Sequence, residues 1–422
     1  MKRFRFIIVL FLIQSSLSYA QDFNINDDKW ARGWTNFEPN ATNYPDAEER
    51  IPNIIVENTF LRSDIVYKLS GDVYVSNGAT LTIQEGTIIR CDHENIGNLI
   101  ISKGSKLIAE GSKVNPIIFT SDKAAKSRTR GDWGGIVIIG SGKVNTVSGN
   151  GIIKGKYNPQ FSMYGGKAHD EQTSIMKYVR IEFAGNKTRR TEGANGLSLY
   201  AVGKKSIINN IMISHSGQDS YSFNGGTLKT QNLISYKAKD DDFEISEGFK
   251  GTLNQLIAIR HPFITCAIGS YALEINGYHK ELGYVNAEDI TDVTITNATL
   301  VNLSDKSNYK HTTSAISARN TARVYIHNSK ISGFSDVVRF DRSYTALAMI
   351  EKSFMMDNSF FNIHGDGVRA SRKINENVVN ILKYNKFTKE FIAANELFQD
   401  PDNKVIPKFH LKKSLNNYMV MQ

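Results

Sequence analysis

Cysteine, long apolar runs and blocks of like charge are all scarce in this chain. Only two cysteines occur among 422 residues. Beyond residue 20 no run of about 18 apolar residues exists, so the mature chain is expected to contain no transmembrane segment. The net charge of +9 is spread along the chain without a basic cluster. Such a pattern is typical of a solvated surface and argues against a nucleic-acid partner.

Sequence motifs of several enzyme classes are also missing. There is no G-x-S-x-G, Walker or dinucleotide-binding motif at a strand-to-helix turn. The histidines are scattered without the spacing of metal ligands, so a zinc site is not expected. Cys91 and Cys266 lie in apolar runs, which argues against catalytic thiol chemistry.

The N-terminus has the features of a secretory signal peptide. Lys2, Arg3 and Arg5 precede an apolar stretch at 6–13, and residues 18–20 form a small-x-small cleavage signal. We therefore expect residues 1–20 to be removed on export. Cleavage would remove three basic and no acidic residues, which lowers the net charge to +6. The product should be extracellular, on the cell surface or periplasmic.

What the chain does contain is a repeat of short alternating strands. Residues 71–91 read GDVYVSNGATLTIQEGTIIRC, and a similar set returns at 98–121 as NLIISKGSKLIAEGSKVNPIIFTS. Alternation of period two predicts strands with one buried face, and the glycines and proline mark the turns. A repeat of about 20 to 25 residues without helical periodicity favours a right-handed parallel β-helix. Leucine-rich repeats and antiparallel sandwiches fit less well.

This interpretation divides the chain into a solenoid and two ends. Residues 21–62 are predicted to cover the first coil, and 63–385 to form the β-helix with a long loop at about 143–170. Residues 386–422 are predicted to close the last coil, with a short helix in KEFIAANELF. Cys91 and Cys266 would then lie several coils and about 30 Å apart, too far for a disulfide.

Six segments carry a family resemblance. They read GDVYVSNGATLTIQEGTII, NPIIFTSDK, GDWGGIVIIG, YVRIEFAG, DSYSFNGGT and KAKDDDFEISEGFKG. In this order they resemble the secreted right-handed parallel β-helix repeat proteins of Bacteroidota, over roughly residues 54–285. The resemblance implies the fold, export and exposure at the surface. It does not imply an activity, because one fold supports many functions.

An acidic run, KDDDFEI at 239–245, interrupts the strand pattern. Alignment of Ile213-Ser214 with Ile234-Ser235 places Asp219 over Asp240 one coil away. An extended backbone would put Asp240, Asp242 and Glu244 on one face and Asp241 on the other. Glu274 lies about a coil further on.

A basic column is predicted beside the acidic one. Alignment of Leu233 with Leu256 places Lys237 over Arg260. The two columns would therefore bring carboxylates and cationic side chains close together on the wall of the β-helix.

Three interpretations of these columns stay open. In the first, the carboxylates bind Ca²⁺, with Asp219, Asp240, Asp242, Glu244 and Glu274 as ligands. In the second, they catalyse polysaccharide cleavage as a lyase or glycoside hydrolase, with Asp219, Asp240, Asp241 and Asp242 beside Lys237 or Arg260. In the third, the acidic run is a structural turn held by ion pairs.

For several other residues the sequence favours a structural role. Trp133 lies between glycines in GDWGGI and is predicted to pack, and His215 is predicted to be a satisfied structural histidine. Tyr157, Phe161 and Tyr164 could stack on sugars or pack against the solenoid wall, and packing is favoured. The leading hypothesis is an exported cell-envelope or surface protein that binds polysaccharide or another surface component. A lyase or hydrolase and a structural or adhesive surface protein are the alternatives.

Overall fold

A computed structural model describes residues 28–155, 157–186, 194–266, 269–283, 286–371, 374, 378–412 and 419–421. The predicted signal peptide, residues 1–20, lies outside the described residues. The prediction of an all-β parallel β-helix is confirmed. Strands stack in parallel register into two long sheets, and each coil of the chain contributes to both.

The first sheet has 11 strands, one from each successive coil. Numbered in chain order, they are β2 (Ile54–Ile55), β5 (Val73–Val75), β8 (Leu99–Ile101), β11 (Ile136–Ile139), β15 (Leu197–Tyr200), β17 (Tyr221–Asn224), β19 (Phe243–Ser246), β21 (Leu273–Asn276), β24 (Ile316–Arg319), β27 (Val338–Phe340) and β30 (Val368–Arg369).

The second sheet has 19 strands and folds around the other two sides of the coil. It contains β1 (Glu49–Arg50), β3 (Thr59–Leu61), β4 (Tyr67–Leu69), β6 (Thr80–Ile83), β7 (Ile88–Cys91), β9 (Lys106–Glu110), β10 (Ile117–Ser121), β14 (Ser174–Glu182), β16 (Ile207–Ser214), β18 (Thr227–Tyr236), β20 (Lys250–Arg260), β22 (Asp292–Thr296), β23 (Thr299–Asn302), β25 (Arg323–His327), β26 (Lys330–Ser332), β28 (Phe354–Asp357), β29 (Phe360–Asn362), β31 (Lys386–Thr388) and β34 (Met419–Met421).

A single left-handed residue bends each long strand of the second sheet. In successive coils this residue is Asn210 (φ 57°), Asn232 (φ 62°) and Gln255 (φ 56°), and the strands pair on either side of it. Asparagine tolerates the left-handed region better than other side chains except glycine, which explains its repeated use. The signal is readable in the sequence as the asparagine within NNIMIS and QNLIS.

Alternate side chains fill the inside of the coil. Tyr221 and Phe243, in adjacent coils, stack with ring centroids 4.9 Å apart and 8° between their planes. Trp133 is fully buried there, and its indole N–H donates to the carbonyl of Glu182 at 2.9 Å, so it packs as predicted. His215 stacks on Phe183 at 5.3 Å, and burial lowers its pKa to about 3, which keeps the ring neutral at neutral pH.

The described part of the N-terminal segment packs on a side wall, and its strands β1, β2 and β3 also stack on the coil that follows. Met212 and Ile234 point outward from the second sheet and pack against Trp34 and Phe37. Strands β1–β3, within the same predicted segment, form the first coil itself. The physical reason is that outward apolar side chains on this sheet need cover.

The C-terminal segment shares that wall and also pairs with the last coil. Phe398 and Phe409 join the same apolar cluster, and β34 pairs with β31 in antiparallel register. Strand β32 (Phe398–Asp400) pairs with β33 (Lys408–Leu411). The helix in KEFIAANELF is a single turn, α2 (Ala394–Leu397).

A longer helix, α1 (Leu347–Ser353), precedes β28 and was not predicted. The remaining helical turns are of 3-10 type, at Asp28–Ala31, Pro39–Ala41, Pro159–Phe161, Lys280–Leu282, Ala287–Asp289, Tyr309–His311 and Val378–Leu382. Cys91 and Cys266 are not joined by a disulfide, in agreement with the prediction from coil spacing.

Residues 143–170 cross the outer face of the 11-stranded sheet and contain a hairpin, β12 (Asn150–Ile152) with β13 (Met163–Gly165). We call residues 143–170 the wall hairpin. Its Tyr164 is buried, and Tyr157 and Phe161 pack with it against the wall, as the packing alternative predicted. The wall hairpin thereby covers the earlier coils of this sheet and leaves the later ones open.

Candidate functional site

The open part of the 11-stranded sheet carries an outer groove. One outward residue per coil lines it in register, in the order Ser198, Ser222, Glu244, Glu274, Ser317 and Arg339. Two cavities, of about 560 and 440 Å³, lie along this row and share Asp219 and Glu244 in their walls. The outer groove therefore runs continuously from the wall hairpin toward the later coils.

Three aspartates form a compact cluster in the shared wall. Asp219, Asp240 and Asp241 each place a carboxylate oxygen within 4.8 Å of the others. Asp219 Oδ1 accepts the backbone N–H of Asp241 at 2.9 Å, and Asp241 Oδ1 accepts the backbone N–H of Tyr271 at 2.5 Å. Asp240 Oδ1 accepts the thiol hydrogen of Cys266 at 3.2 Å. We call these three residues the aspartate cluster.

The predicted register of the acidic column is wrong by one residue. Ile213 pairs with Ser235 rather than Ile234, and the N–H of Ser220 donates to the carbonyl of Asp241, which sets Asp219 over Asp241. The alignment matched two Ile-Ser pairs that are alike in sequence but not equivalent in the coil. Ile213 points into the coil, whereas Ile234 points out of it. A slip of one residue exchanges the two faces of a strand, so Asp241 faces the groove.

Asp242 lies inside the coil and does not belong to the groove, contrary to the prediction for a Ca²⁺ ligand. Its carboxylate accepts the hydroxyl of Ser235 and pairs with Arg260 at 2.7 Å. The side chains of Asp242 and Arg260 are 0% and 3% exposed. The Asp242–Arg260 ion pair fits the third interpretation, in which the acidic run is a structural turn held by ion pairs, for one of the three consecutive aspartates.

The predicted basic column exists in register but does not face the acids of the groove. Leu233 pairs with Leu256, which confirms the alignment that brought Lys237 over Arg260. The Lys237 ammonium, however, lies 4.8 Å above the Tyr236 ring, on the side of the N-terminal segment. Lys237 and Arg260, predicted as catalytic candidates, therefore do not line either cavity of the groove.

The cationic groups of the second cavity are two arginines that sequence reasoning missed. Arg319 pairs with Glu274 at 2.6 Å, and an Arg339 N–H donates to the Tyr271 hydroxyl at 2.7 Å. Asp341 lines the same cavity. Extending the one-residue-per-coil register beyond Glu274 would have found Arg339, because it continues the same outward row.

Burial raises the pKa of several groove carboxyls. The pKa of Asp219 lies well above its usual range because of burial and the nearby Glu244, and burial likewise raises the pKa of Asp241. Burial also raises the pKa of Glu244, and its hydrogen bonds with Ser222 and Asp219 oppose that rise. The raised pKa values favour the protonated form of these carboxyl groups.

A comparison with known protein families gives a match over most of the chain. Residues 53–399 match the family described as the pectate-lyase-like β-helix domain. The chain belongs to this family. No curated protein and no solved structure matches it. Within the part of the chain that the structure describes, no helix is long and apolar enough to cross a membrane.

The donor set of this pectate-lyase-like β-helix protein suits Ca²⁺ in part. Of the predicted ligands, Asp219, Asp240, Glu244 and Glu274 face the groove, where Asp241 joins them. Glu274 is already paired with Arg319. Ca²⁺ requires six to eight hard oxygen ligands, and the aspartate cluster with Glu244 offers carboxylate oxygens of this kind.

Protonation of this cluster should make stability depend on pH. Because folding raises the pKa of Asp219, the native state binds its proton more tightly than the unfolded state. Its contribution therefore favours folding at low pH and is lost as pH rises through the raised pKa. In EDTA, Asp219→Asn should unfold at a higher temperature than wild type at pH 8, and the two should converge toward pH 5.

The exposed Asp366→Asn variant serves as the control and should leave the pH dependence of the unfolding temperature unchanged.

In millimolar Ca²⁺, a site with a micromolar dissociation constant would stabilise the wild-type protein by about 4 kcal/mol, and Asp240→Asn should lose this gain. Equal curves with Ca²⁺ and EDTA would contradict the cation hypothesis, whereas identical pH profiles of wild type and Asp219→Asn would contradict the raised pKa.

Proposed function

We propose that the protein is an exported cell-envelope or surface protein that binds polysaccharide in the outer groove. The observation that carries this proposal is the pair of adjacent cavities along the coils, which share Asp219 and Glu244 in their walls. In the first cavity Tyr157 and Tyr200 offer aromatic rings, while Asn224, Gln218 and Glu244 offer hydrogen-bonding groups. Sugar sites combine such rings, which stack on apolar faces, with polar groups that take the hydroxyls.

The charge of the groove limits which class of polysaccharide it can bind. Six carboxyl groups and two guanidinium groups line the second cavity. An acidic polymer would meet repulsion there unless a cation intervened, whereas hydroxyl groups can donate to carboxylates directly. The groove therefore suits a neutral or amino sugar chain.

Binding tests should use neutral, amino and acidic polysaccharides in affinity electrophoresis and calorimetry. Tyr200→Leu keeps an apolar side chain but removes the aromatic face, and should weaken binding about tenfold, which corresponds to about 1.4 kcal/mol. Tyr325→Leu is the matched control, because this half-buried tyrosine lies in β25 of the other sheet. The proposal fails if no polymer binds, or if both variants lose affinity equally.

Glycoside hydrolysis in the same groove is a second candidate. Asp219 and Asp241 bring carboxylate oxygens within 4.8 Å of each other, and retaining glycosidases use two carboxyl groups that lie about 5 to 5.5 Å apart. Burial raises the pKa of Asp219, as a general acid requires. Release of new reducing ends, abolished in Asp219→Asn, would support hydrolysis over simple binding. A lyase has less support because its proposed bases, Lys237 and Arg260, lie outside the groove. A purely structural or adhesive role has less support as well, because it does not require a groove of this kind.

A further inference from the structure

We infer that the outer groove receives the end of a glycan chain rather than its middle. This inference rests on the proposed function and adds to it which part of a neutral polysaccharide is bound. Three observations carry it: the groove is blocked at one end, the block is built into the fold, and the blocked end has its own polar side chains.

The wall hairpin blocks the groove at the coil before Ser198. Toward the N-terminal coils, the outward row continues from Ser198 through Val137, Ile100 and Tyr74, which lie in register with it. These three side chains are 0%, 1% and 8% exposed because the wall hairpin packs on them. A polysaccharide in the groove cannot continue past this point along the sheet.

Hydrogen bonds on both flanks hold the wall hairpin in place. Tyr164 donates its hydroxyl hydrogen to Glu247 Oε2 at 2.6 Å. The ammonium of Lys103 donates to the carbonyl of Gly165 at 2.6 Å, and the Asn145 amide donates to the carbonyl of Gly277 at 2.8 Å. Since the latter bond is buried, the wall hairpin belongs to the folded structure around the groove.

The cavity of about 560 Å³ at the blocked end has Glu247 in its wall. Glu247 takes a left-handed backbone conformation with φ 54°, as do Ala201 (φ 53°) and Gly225 (φ 64°) at the same turn of the two preceding coils. This turn therefore recurs along the sheet, and at Glu247 it brings a carboxylate to the cavity. Its other oxygen, Oε1, lies 3.9 Å from His279 Nε2.

These groups match the terminal residue of a neutral glycan. A chain end differs from an internal residue by one additional free hydroxyl group. Carboxylate oxygens of Glu244 and Glu247 can accept from neighbouring hydroxyls, and Asn195 and Asn224 can both donate and accept. The volume lies within the usual range of about 300 to 1,000 Å³ for small-ligand sites.

The opposite end of the groove leads away from the block. Beyond Glu274 the row passes through Ser317 and Arg339 to Arg369, whose side chain is 63% exposed. The rest of a bound chain would leave in this direction. The wall hairpin therefore sets the direction of the glycan as well as its end.

The test varies the number of chain ends at constant mass of polymer. Mannan, xylan, β-glucan and chitosan are each presented intact and after partial acid hydrolysis, and bound protein per gram is measured at saturation. For a polymer that binds, capacity should rise in proportion to its number of ends. An unchanged capacity overturns the inference and leaves the proposed function standing. No binding to either preparation of any polymer overturns both.

A variant adds a second readout. Replacing residues 148–164 by a short glycine-serine linker removes the block together with part of the cavity wall, so any remaining binding of polymer should no longer follow the number of ends. An opened variant that still depends on chain ends would contradict the role of the wall hairpin. The wild-type measurement decides the main point even if this variant does not fold.

Discussion

Arg260→Met is expected to destabilise the protein by about 3 to 5 kcal/mol at neutral pH. Arg260 is buried, pairs with Asp242 at 2.7 Å and also donates to the carbonyl of Tyr271 at 3.1 Å. Methionine would leave Asp242 as an uncompensated charge inside the coil. Chemical denaturation followed by tryptophan fluorescence and circular dichroism measures the change in the free energy of unfolding.

The sign of the pH effect distinguishes this mechanism from simple loss of packing. Burial raises the pKa of Asp242, and Arg260 opposes that rise, so removing the arginine raises the pKa further. The variant should therefore lose less stability at pH 5 than at pH 8, because Asp242 can then be protonated. An equal loss at both values would show that the charge of Asp242 is not the cause.

Two further variants serve as controls for this ion pair. Arg260→Met combined with Asp242→Asn should recover much of the lost stability, because no buried charge remains. Lys177→Met breaks an exposed pair with Glu110, 2.8 Å long, and should cost at most about 1 kcal/mol. A double variant as unstable as the single one would contradict the expectation.

Trp34→Ala is expected to cost about 3 to 5 kcal/mol through the loss of a large buried side chain. Trp34 is fully buried, and its ring meets Tyr178 edge-on at 5.8 Å between centroids. It belongs to the cluster that covers the outward residues Met212 and Ile234. Loss of the tryptophan should therefore expose apolar surface on the second sheet, which would bind a hydrophobic dye more strongly.

Phe60→Ala is the control for this aromatic truncation. Phe60 lies in β3 of the first coil and is 56% exposed, so its removal should change the free energy of unfolding by no more than about 0.5 kcal/mol. Urea denaturation of both variants gives the comparison. A small effect of Trp34→Ala would mean that the N-terminal segment is not needed to cover the wall.

Much of the fold could be predicted from local features of the sequence. Strands such as β5, β6 and β7 follow the alternation of apolar residues, and their turns follow the glycines. The bends at Asn232 and Gln255 were missed because each shifts the alternation by one residue without a glycine or proline to mark it; Leu228 and Leu233, five residues apart, both point into the coil. The path of the N-terminal segment could not be predicted, since it depends on contacts with residues such as Met212, far away in sequence.

The candidate site was predicted in part. Asp219, Asp240 and Glu244 meet in the groove, as the sequence suggested, whereas Arg319 and Arg339 come from coils beyond the acidic run. The coils contain inserted loops of different length, such as 261–272 and 303–315 between their strands. Local alignment cannot carry the register across such insertions, so distant members of the groove were not found.

The sequence by itself determined that short strands stack into a parallel β-helix, because alternation and turn residues act within a few neighbouring positions. Tertiary structure decided which carboxyl groups share the outer groove. Asp241 and Asp242 are adjacent in the chain, yet the register of one coil on the next places the first in the groove and pairs the second with Arg260 inside. Successive side chains of a strand point to opposite faces, so a shift of one residue in register exchanges their roles.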